Sequence, residues 1–445
     1  MTCSGCVTGD FSAKSERTPM EEDALLETLQ SRAFSYFTEY SHPKTGLIAD
    51  SNKPQSPASI AAIGMGIASM VVAAERGFIT RSLSLQMVTR AIKYLWEAPQ
   101  GADLNSTGYK GFLYHFLDCS TGKRAWQSEV STIDTALLIA GALVAAAYFD
   151  RDTGEERELR ELVDKLYRRI EWDWALNGGL AFTHGWTPEN GFMQYRWQGY
   201  DEAMILYVLA LGSPTFPILP ESYLEWTKSF CWKSIYGHDV LYAGPLFIHQ
   251  YSHLWIDLRD IQDAVMREHQ SDYFKNSRLA TLIHQEYGLL NPLKFDGCCG
   301  CCWGITATDG PGPATVIVDG IERTFFDYCG RGAPFGPDDG TIAPWVAIAS
   351  LPFAPEIVLP AIEHFTHLGV VTSCQFGFET SFNRTFVDGS GKKGWVSPGN
   401  YGLNQGPVVI MVENYRTQLI WNLLRKSPYI STGLKRAGFS GGWLT

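Results

Sequence analysis

The strongest constraint on this chain is an alternation of two kinds of helical segment. Residues 58–76 (ASIAAIGMGIASMVVAAER), 131–149 (STIDTALLIAGALVAAAYF) and 201–212 (DEAMILYVLALG) are apolar almost all round. A helix of that kind has no solvent face and must be enclosed by other elements. Residues 21–40, 82–97 and 154–171 instead carry one apolar face opposite a charged one, as Leu25, Leu29, Phe34 and Phe37 do in the first. Further helices are expected at 220–233, 341–351, 355–368 and 405–424. Buried helices alternating with amphipathic ones predict an inner and an outer ring, an all-α toroid. No internal sequence repeat accompanies the pattern.

The segments between helices are long: 98–130, 174–200, 236–255, 291–340 and 373–404. Loops of that length in a compact domain usually carry function. They have room for a few short strands, and 314–326 alternates around Asp319-Gly320, a hairpin turn pair. No low-complexity linker divides the 445 residues. The expected organisation is a flexible segment over 1–20, one toroidal domain over 21–435 and a tail over 436–445.

Composition narrows the function. With 47 acidic against 36 basic residues the net charge is −11, which excludes a phosphate-tracking nucleic-acid binder. No apolar run approaches the roughly 20 residues of a membrane span. Aromatic residues make up 13%, with 14 Trp, and flat aromatic rings pack well on the C–H faces of sugars. A large core would account for the same rings. Ten cysteines include the run Cys298-Cys299-Gly300-Cys301-Cys302, which lacks the second ligand pair of a structural zinc site and is read as thiols or disulfides. His249 and His253 have i, i+4 spacing without an acidic partner. No metal or cofactor is expected.

The carboxylates that attract attention stand where a long loop meets an apolar helix. Glu129 and Asp134 flank Ser131, Asp201-Glu202 opens YDEAMILYVLALGSP, and Asp338-Asp339 precedes DGTIAPWVAIASL. If these helices form one inner ring, their N-termini rim one funnel. Glycosidic hydrolysis needs two carboxyl groups, an acid and a base. Ser131-x-x-Asp134 is also what a helix N-cap requires without any catalysis. Two adjacent acids at 201–202, between Tyr200 and an apolar helix, exceed what a cap needs. A helix N-terminus lowers a carboxyl pKa, whereas burial near Tyr195, Trp197 or Tyr200 raises it; one of the two must prevail for Glu202 to be an acid.

Several long motifs, among them SIAAIGMGIASMVVAAERG, GFLYHFLD, STIDTALLIAGAL, YDEAMILYVLALGSP, FIHQYSHLWIDLRD, WGITATDGP, DGTIAPWVAIASLPFAPE and NQGPVVIMVENYRTQLIW, resemble the bacterial glucoamylase-like proteins grouped with glycoside hydrolase family 144. The resemblance runs over roughly residues 25–430. It implies an (α/α)6 toroid and hydrolysis of a β-glucan, foremost a β-1,2-glucan, with inversion and without a cofactor. It gives Glu202 the general-acid role and Asp134 a catalytic place. Glu129, Trp197, Tyr200, Tyr251, Trp255, Trp303, Asp309, Glu379, Trp395 and Glu413 are the implied substrate contacts. One departure stands out: in place of a GFxDAFN pattern the chain reads Gly377-Phe378-Glu379-Thr380-Ser381-Phe382-Asn383. The expected Asp is Thr380, so the base is open among Asp134, Glu379 and Asp388. A glucan-binding protein or a transglycosylase on the same toroid is the alternative. The expected partner is an oligo- or polysaccharide met by a monomer. The expected location is periplasmic or extracellular after removal of a signal, otherwise cytoplasmic.

Overall fold

Most long helices begin on a residue that a helix start needs. In the computed structural model, which describes residues 18–369 and 375–445, Thr18 caps α1 (Pro19–Glu39) in a reciprocal box with Glu21. Ser59, Thr80, Ser131 and Thr153 each accept a backbone N–H at the starts of α2 (Ile60–Glu75), α3 (Arg81–Glu97), α4 (Thr132–Tyr148) and α5 (Gly154–Arg168). Each bond satisfies a donor that the first turn would otherwise leave unpaired. Then come α6 (Met204–Gly212), α7 (Pro220–Thr227), α8 (Ala264–Glu268), α9 (Tyr273–Leu290) and α10 (Pro344–Ile348). The last are α11 (Pro355–His367), α12 (Gly402–Arg416), α13 (Leu419–Arg425) and α14 (Pro428–Arg436).

Two expected helices are corrected. The helix expected over 220–233 stops at Thr227, and Trp232–Ile235 pairs with His238–Leu241 instead. Tyr236 and Gly237 both take positive φ, which suits the tight hairpin between those strands. The segment expected over 405–424 breaks into α12 and α13 at Gln418, whose φ is 62°.

The apolar helices lie at the centre. α2 packs on α4 and α12, α4 also on α6, and α10 on α12. Outside them α1 covers α12 and α2, α3 covers α2, α5 covers α4, α14 covers α6 and α11 covers α10. Two glycines explain the closeness of the central pair. A Cβ on Gly141 would come within 2.1 Å of the Gly64 carbonyl oxygen, and one on Gly64 within 2.4 Å of the Leu137 oxygen. Only hydrogen fits there. The buried apolar side chains form one continuous cluster from Leu26 to Leu444. The C-terminal residues join it: Phe439 and Leu444 are buried, and the Trp443 indole donates to the Asp257 carbonyl at 2.7 Å.

The strands are short. Five of them, Gly108–Tyr109, Phe112–Tyr114, Val130–Ser131, Gly185–Thr187 and Gly191–Phe192, form one antiparallel sheet in chain order. Its middle strand runs straight into α4. Ala314–Val318 and Ile321–Phe325 form the expected hairpin, with Asp319 and Gly320 at positive φ. Among the described residues no helix is long and apolar enough to cross a membrane.

Candidate active site

The N-terminal ends of the central helices open into one cavity of about 540 Å³. α4 contributes Ile133, Asp134 and Leu137, with Ser131 as its cap. Glu202 stands just before α6, Trp345 belongs to α10, and Leu403 and Asn404 open α12. The long loops supply Asp50, His115, Phe116, Glu129, His184, Trp197, Asp309, Tyr328 and Thr380. Five carboxyl groups therefore face one space: Asp50, Glu129, Asp134, Glu202 and Asp309.

Their environments differ. His115 places Nδ1 3.0 Å from Glu129 Oε1 and Nε2 3.6 Å from Asp134 Oδ2. Burial alone would strip the imidazole of its proton, but Asp134, the bond to Glu129 and the charge of Asp50 outweigh it and raise the pKa to about 9. Phe116 stacks on this cation at 4.0 Å. Burial pushes Glu129 the other way, yet the His115 bond and charge hold it below its ordinary value. Asp134 accepts a 2.5 Å bond from the Ser131 hydroxyl, which itself accepts the Asp134 N–H at the start of α4. The ligand atoms of His115, Glu129 and Asp134 lie within 4.8 Å of one another, close enough to hold a cation. The imidazolium already occupies that electrostatic role.

Glu202 is treated differently. Burial raises its pKa first, the neighbouring charge of Asp201 second, and Asp134 adds to both. Burial raises Asp201 too, to about 7, against the Ala203 N–H at 3.0 Å and the Trp226 indole N–H at 2.8 Å, which it accepts and which favour its ionised form. The two cannot easily ionise together in a buried site, so the proton they share resides on Glu202. Burial and like charge have overcome the helix end.

On the far side, Asp309 Oδ2 accepts the Tyr401 hydroxyl at 2.6 Å and the Ser397 hydroxyl at 3.3 Å. Lys53 reaches the Tyr401 oxygen at 2.5 Å and lies 3.5 Å from Asp309. Asp50 is raised to about 6, by burial first and then by Asp134 and Asp309 against the opposing pull of His115 and Lys53. Trp197 lines another wall: His184 stacks on it at 3.9 Å, and its indole donates to Thr132 Oγ1 at 3.0 Å. Tyr251 donates to the Leu403 carbonyl at 3.2 Å. These flat faces beside carboxylates are what a sugar ring requires.

The cavity thus gathers Glu202, Asp134, Glu129, Trp197, Tyr251 and Asp309 from the residues singled out in the sequence. Others lie elsewhere. Tyr200 packs among Phe230, His249 and Tyr273. Trp255 and Trp303 are fully buried core residues. Trp395 sits in the strand Lys393–Val396 opposite Asn383. Glu413 is buried in an ion pair with Arg76, nine residues beyond Asn404 and so about 14 Å along α12 from the cavity end. Glu379 accepts from Asn400 at 3.3 Å and does not line the cavity. Asp388 closes the turn at 388–392, accepting from Ser390 and Lys392 with one oxygen. His249 and His253 are core groups bonded to the Ala243 carbonyl and the Ser277 hydroxyl.

The sequence reading missed Asp50, His115, Tyr328 and Tyr401. For Asp50 a signal existed. It stands in the loop before the apolar α2, as Glu129 stands before α4. His115 and the two tyrosines reach the cavity only through tertiary closure.

The Glycoamylase family model, described as "Putative glucoamylase", matches residues 194–428. The chain belongs to this family. An exo β-1,2-glucooligosaccharide sophorohydrolase (non-reducing end) from Parabacteroides distasonis is 30% identical over 94% of the chain, which spans 58% of that relative's length. Among solved structures, an endo-β-1,2-glucanase from Chitinophaga pinensis in complex with sophorotriose and glucose superposes with a TM-score of 0.83. It is 26% identical, with 95% of this chain and 99% of that one covered. A β-1,2-glucanase from Parabacteroides distasonis gives 0.82 at 28% identity, covering 95% and 61%. Within the family setting, the cavity position expected to be an acid is Thr380, a buried hydroxyl on the cavity wall.

Proposed function

We propose that this chain is a glycoside hydrolase that cleaves β-1,2-linked glucans with inversion, on an (α/α)6 toroid whose inner helices present the cavity. The reading rests foremost on Glu202: a carboxyl group in the cavity that keeps its proton because burial and Asp201 oppose its ionisation. A general acid must hold a proton near neutral pH and sit where a leaving oxygen can take it. The aromatic walls and the carboxyl groups suit a neutral, hydroxyl-rich chain, whose hydroxyls would donate to Glu129 and Asp134. The similar proteins are a sophorohydrolase and endo-β-1,2-glucanases. The contact path α6–α4–α2–α12–α10 among the central helices supports the toroid.

The test is release of reducing ends from a linkage panel of β-1,2-, β-1,3-, β-1,4- and β-1,6-glucans, with the product anomer followed by proton NMR. Cleavage of β-1,2-glucan with first appearance of the α-anomer is the expected result. Action on another linkage alone, or a β-anomer, would refute it. Thr380 at the expected acid favours a second reading, transfer of the glycosyl unit to another sugar. Products longer than the substrate, without net release of reducing ends, would select it.

A further inference from the structure

The hydrolase reading leaves one chemical role unfilled, and this inference rests on that reading. An inverting hydrolase needs a carboxylate that takes a proton from water on the face opposite the leaving group. Five carboxyl groups line the cavity, and Glu202 holds the acid's place.

The remaining four are not equivalent. Glu129 spends Oε1 on His115, and Asp134 spends Oδ2 on Ser131 with His115 facing it. Asp134 also stands on the acid's own side: it begins α4, which packs on α6, and its charge reaches Glu202. Asp50 accepts no side-chain hydrogen bond among the described residues, so nothing orients its carboxylate. Asp309 is oriented. Its Oδ2 takes the hydroxyls of Tyr401 and Ser397, with Lys53 alongside, while Oδ1 accepts no hydrogen bond among the described residues. Tyr401 is the N-cap of α12, whereas Glu202 stands just before α6. Asp309 and Glu202 therefore line one cavity while being held by different elements.

A second observation points to the water itself. Thr380 lines the cavity, is only 2% exposed, and its hydroxyl has no hydrogen-bond partner among the described residues. A buried hydroxyl without a partner costs free energy that a bound water or substrate hydroxyl would recover. Its neighbour Ser381 donates to the Asp309 backbone carbonyl at 2.8 Å, which ties Thr380 to the Asp309 segment.

We propose that Asp309 is the catalytic base and that the Thr380 hydroxyl holds the attacking water beside it. The water oxygen bonds to the anomeric carbon as Oδ1 takes one of its protons. The glycosidic C–O bond breaks, its electron pair goes to the leaving oxygen, and Glu202 supplies that oxygen's proton. Asp309 ends protonated and Glu202 ionised; exchange with solvent restores both.

The experiment compares Asp309→Ala, Asp50→Ala and Asp134→Ala with the wild type on linear β-1,2-glucan, with and without sodium azide. Azide is a nucleophile that needs no base. In Asp309→Ala hydrolysis should fall by about 10²–10⁴-fold, and azide should restore cleavage while appearing in the product as an α-glycosyl azide. Thr380→Val should lower kcat with little change in KM, and Thr380→Ser should regain most of it. A melting scan confirms that each variant is folded. Rescue in Asp50→Ala or Asp134→Ala instead, or a folded Asp309→Ala that azide does not rescue, overturns the base assignment alone. A wild type that cleaves no glucan of the panel overturns the hydrolase reading and this inference with it.

Discussion

Replacing Glu202 by Gln should lower activity and raise stability in one step, because the same burial is responsible for both. The amide keeps the shape of the acid but has no proton to deliver. Loss of a general acid lowers turnover by about 10²–10⁴-fold, or about 2.7–5.4 kcal/mol of barrier. The stability effect follows from linkage. An unfolded Glu ionises near pH 4.5, while in the fold its pKa is raised by burial and Asp201. Above pH 4.5 the unfolded chain therefore releases a proton that the folded chain keeps, and folding is disfavoured by that difference. At pH 7, some 2.5 units above 4.5, the cost is on the order of 3 kcal/mol, an upper figure because the proton is shared with Asp201. Gln carries no such cost. For a chain of this size about 0.9 kcal/mol corresponds to one degree, so the variant should melt about 2–3 °C higher at pH 7. The gap should close near pH 4, where both states are protonated. Differential scanning fluorimetry across pH 4–7.5, together with initial rates on β-1,2-glucan, checks both halves. Turnover within tenfold of the wild type, or a lower melting point at pH 7, would refute the reasoning.

Three further expectations follow from other parts of the structure. The folded-state pKa of His115 is about 9 against the ordinary 6.5 of an unfolded chain, so its contribution is full below pH 6.5 and lost as pH rises through 9; the wild-type melting point should fall over that window, and that of His115→Gln should fall less. Arg331 and Asp339 are both fully buried and paired at 2.8 Å, and Arg331 also donates to the carbonyls of Thr308, Phe326 and Asp327. Arg331→Met leaves Asp339 uncompensated and should cost about 3–5 kcal/mol in a urea titration, with activity falling because Asp309 and Tyr328 adjoin those carbonyls. Gly141→Ala drives a methyl against the Gly64 backbone and should cost about 1–3 kcal/mol by thermal melting; an unchanged melting point would show that α2 and α4 can separate.

What was legible in the sequence is what local chemistry decides. Ser131 announced its helix because a cap is a matter between a residue and the one three positions on. The apolar α2, α4 and α6 announced burial because no face of them could meet water. α9 was not legible, since Asn276, Ser277 and His284 are buried in it as polar groups bonded to other elements, and this erases the apolar stripe. The aromatic residues divided the same way. Trp197 reaches the cavity and Trp255 the core, and nothing in an indole's immediate neighbours distinguishes the two. Glu413 was implied as a site carboxylate by the resemblance, and its structural partner Arg76, 337 residues away, could not be seen in the sequence.

The site's logic lies in giving one residue type different company. Glu129 and Asp134 face a shared imidazolium, which against burial holds Glu129 below its ordinary pKa. Glu202 is buried with a second carboxylate behind it and, among the described residues, no cation against it, so it holds on to its proton. Exchanging those settings would exchange the roles. A cation beside Glu202 would ionise it and remove the acid, and loss of His115 would let like charges repel across the wall that should hold the sugar. The 115–129 sheet segment and the Asp201–Trp226 bond are therefore as much part of the chemistry as the carboxylates themselves. On the proposed mechanism, catalysis depends on Glu202 keeping its proton in a cavity that it shares with four other carboxyl groups.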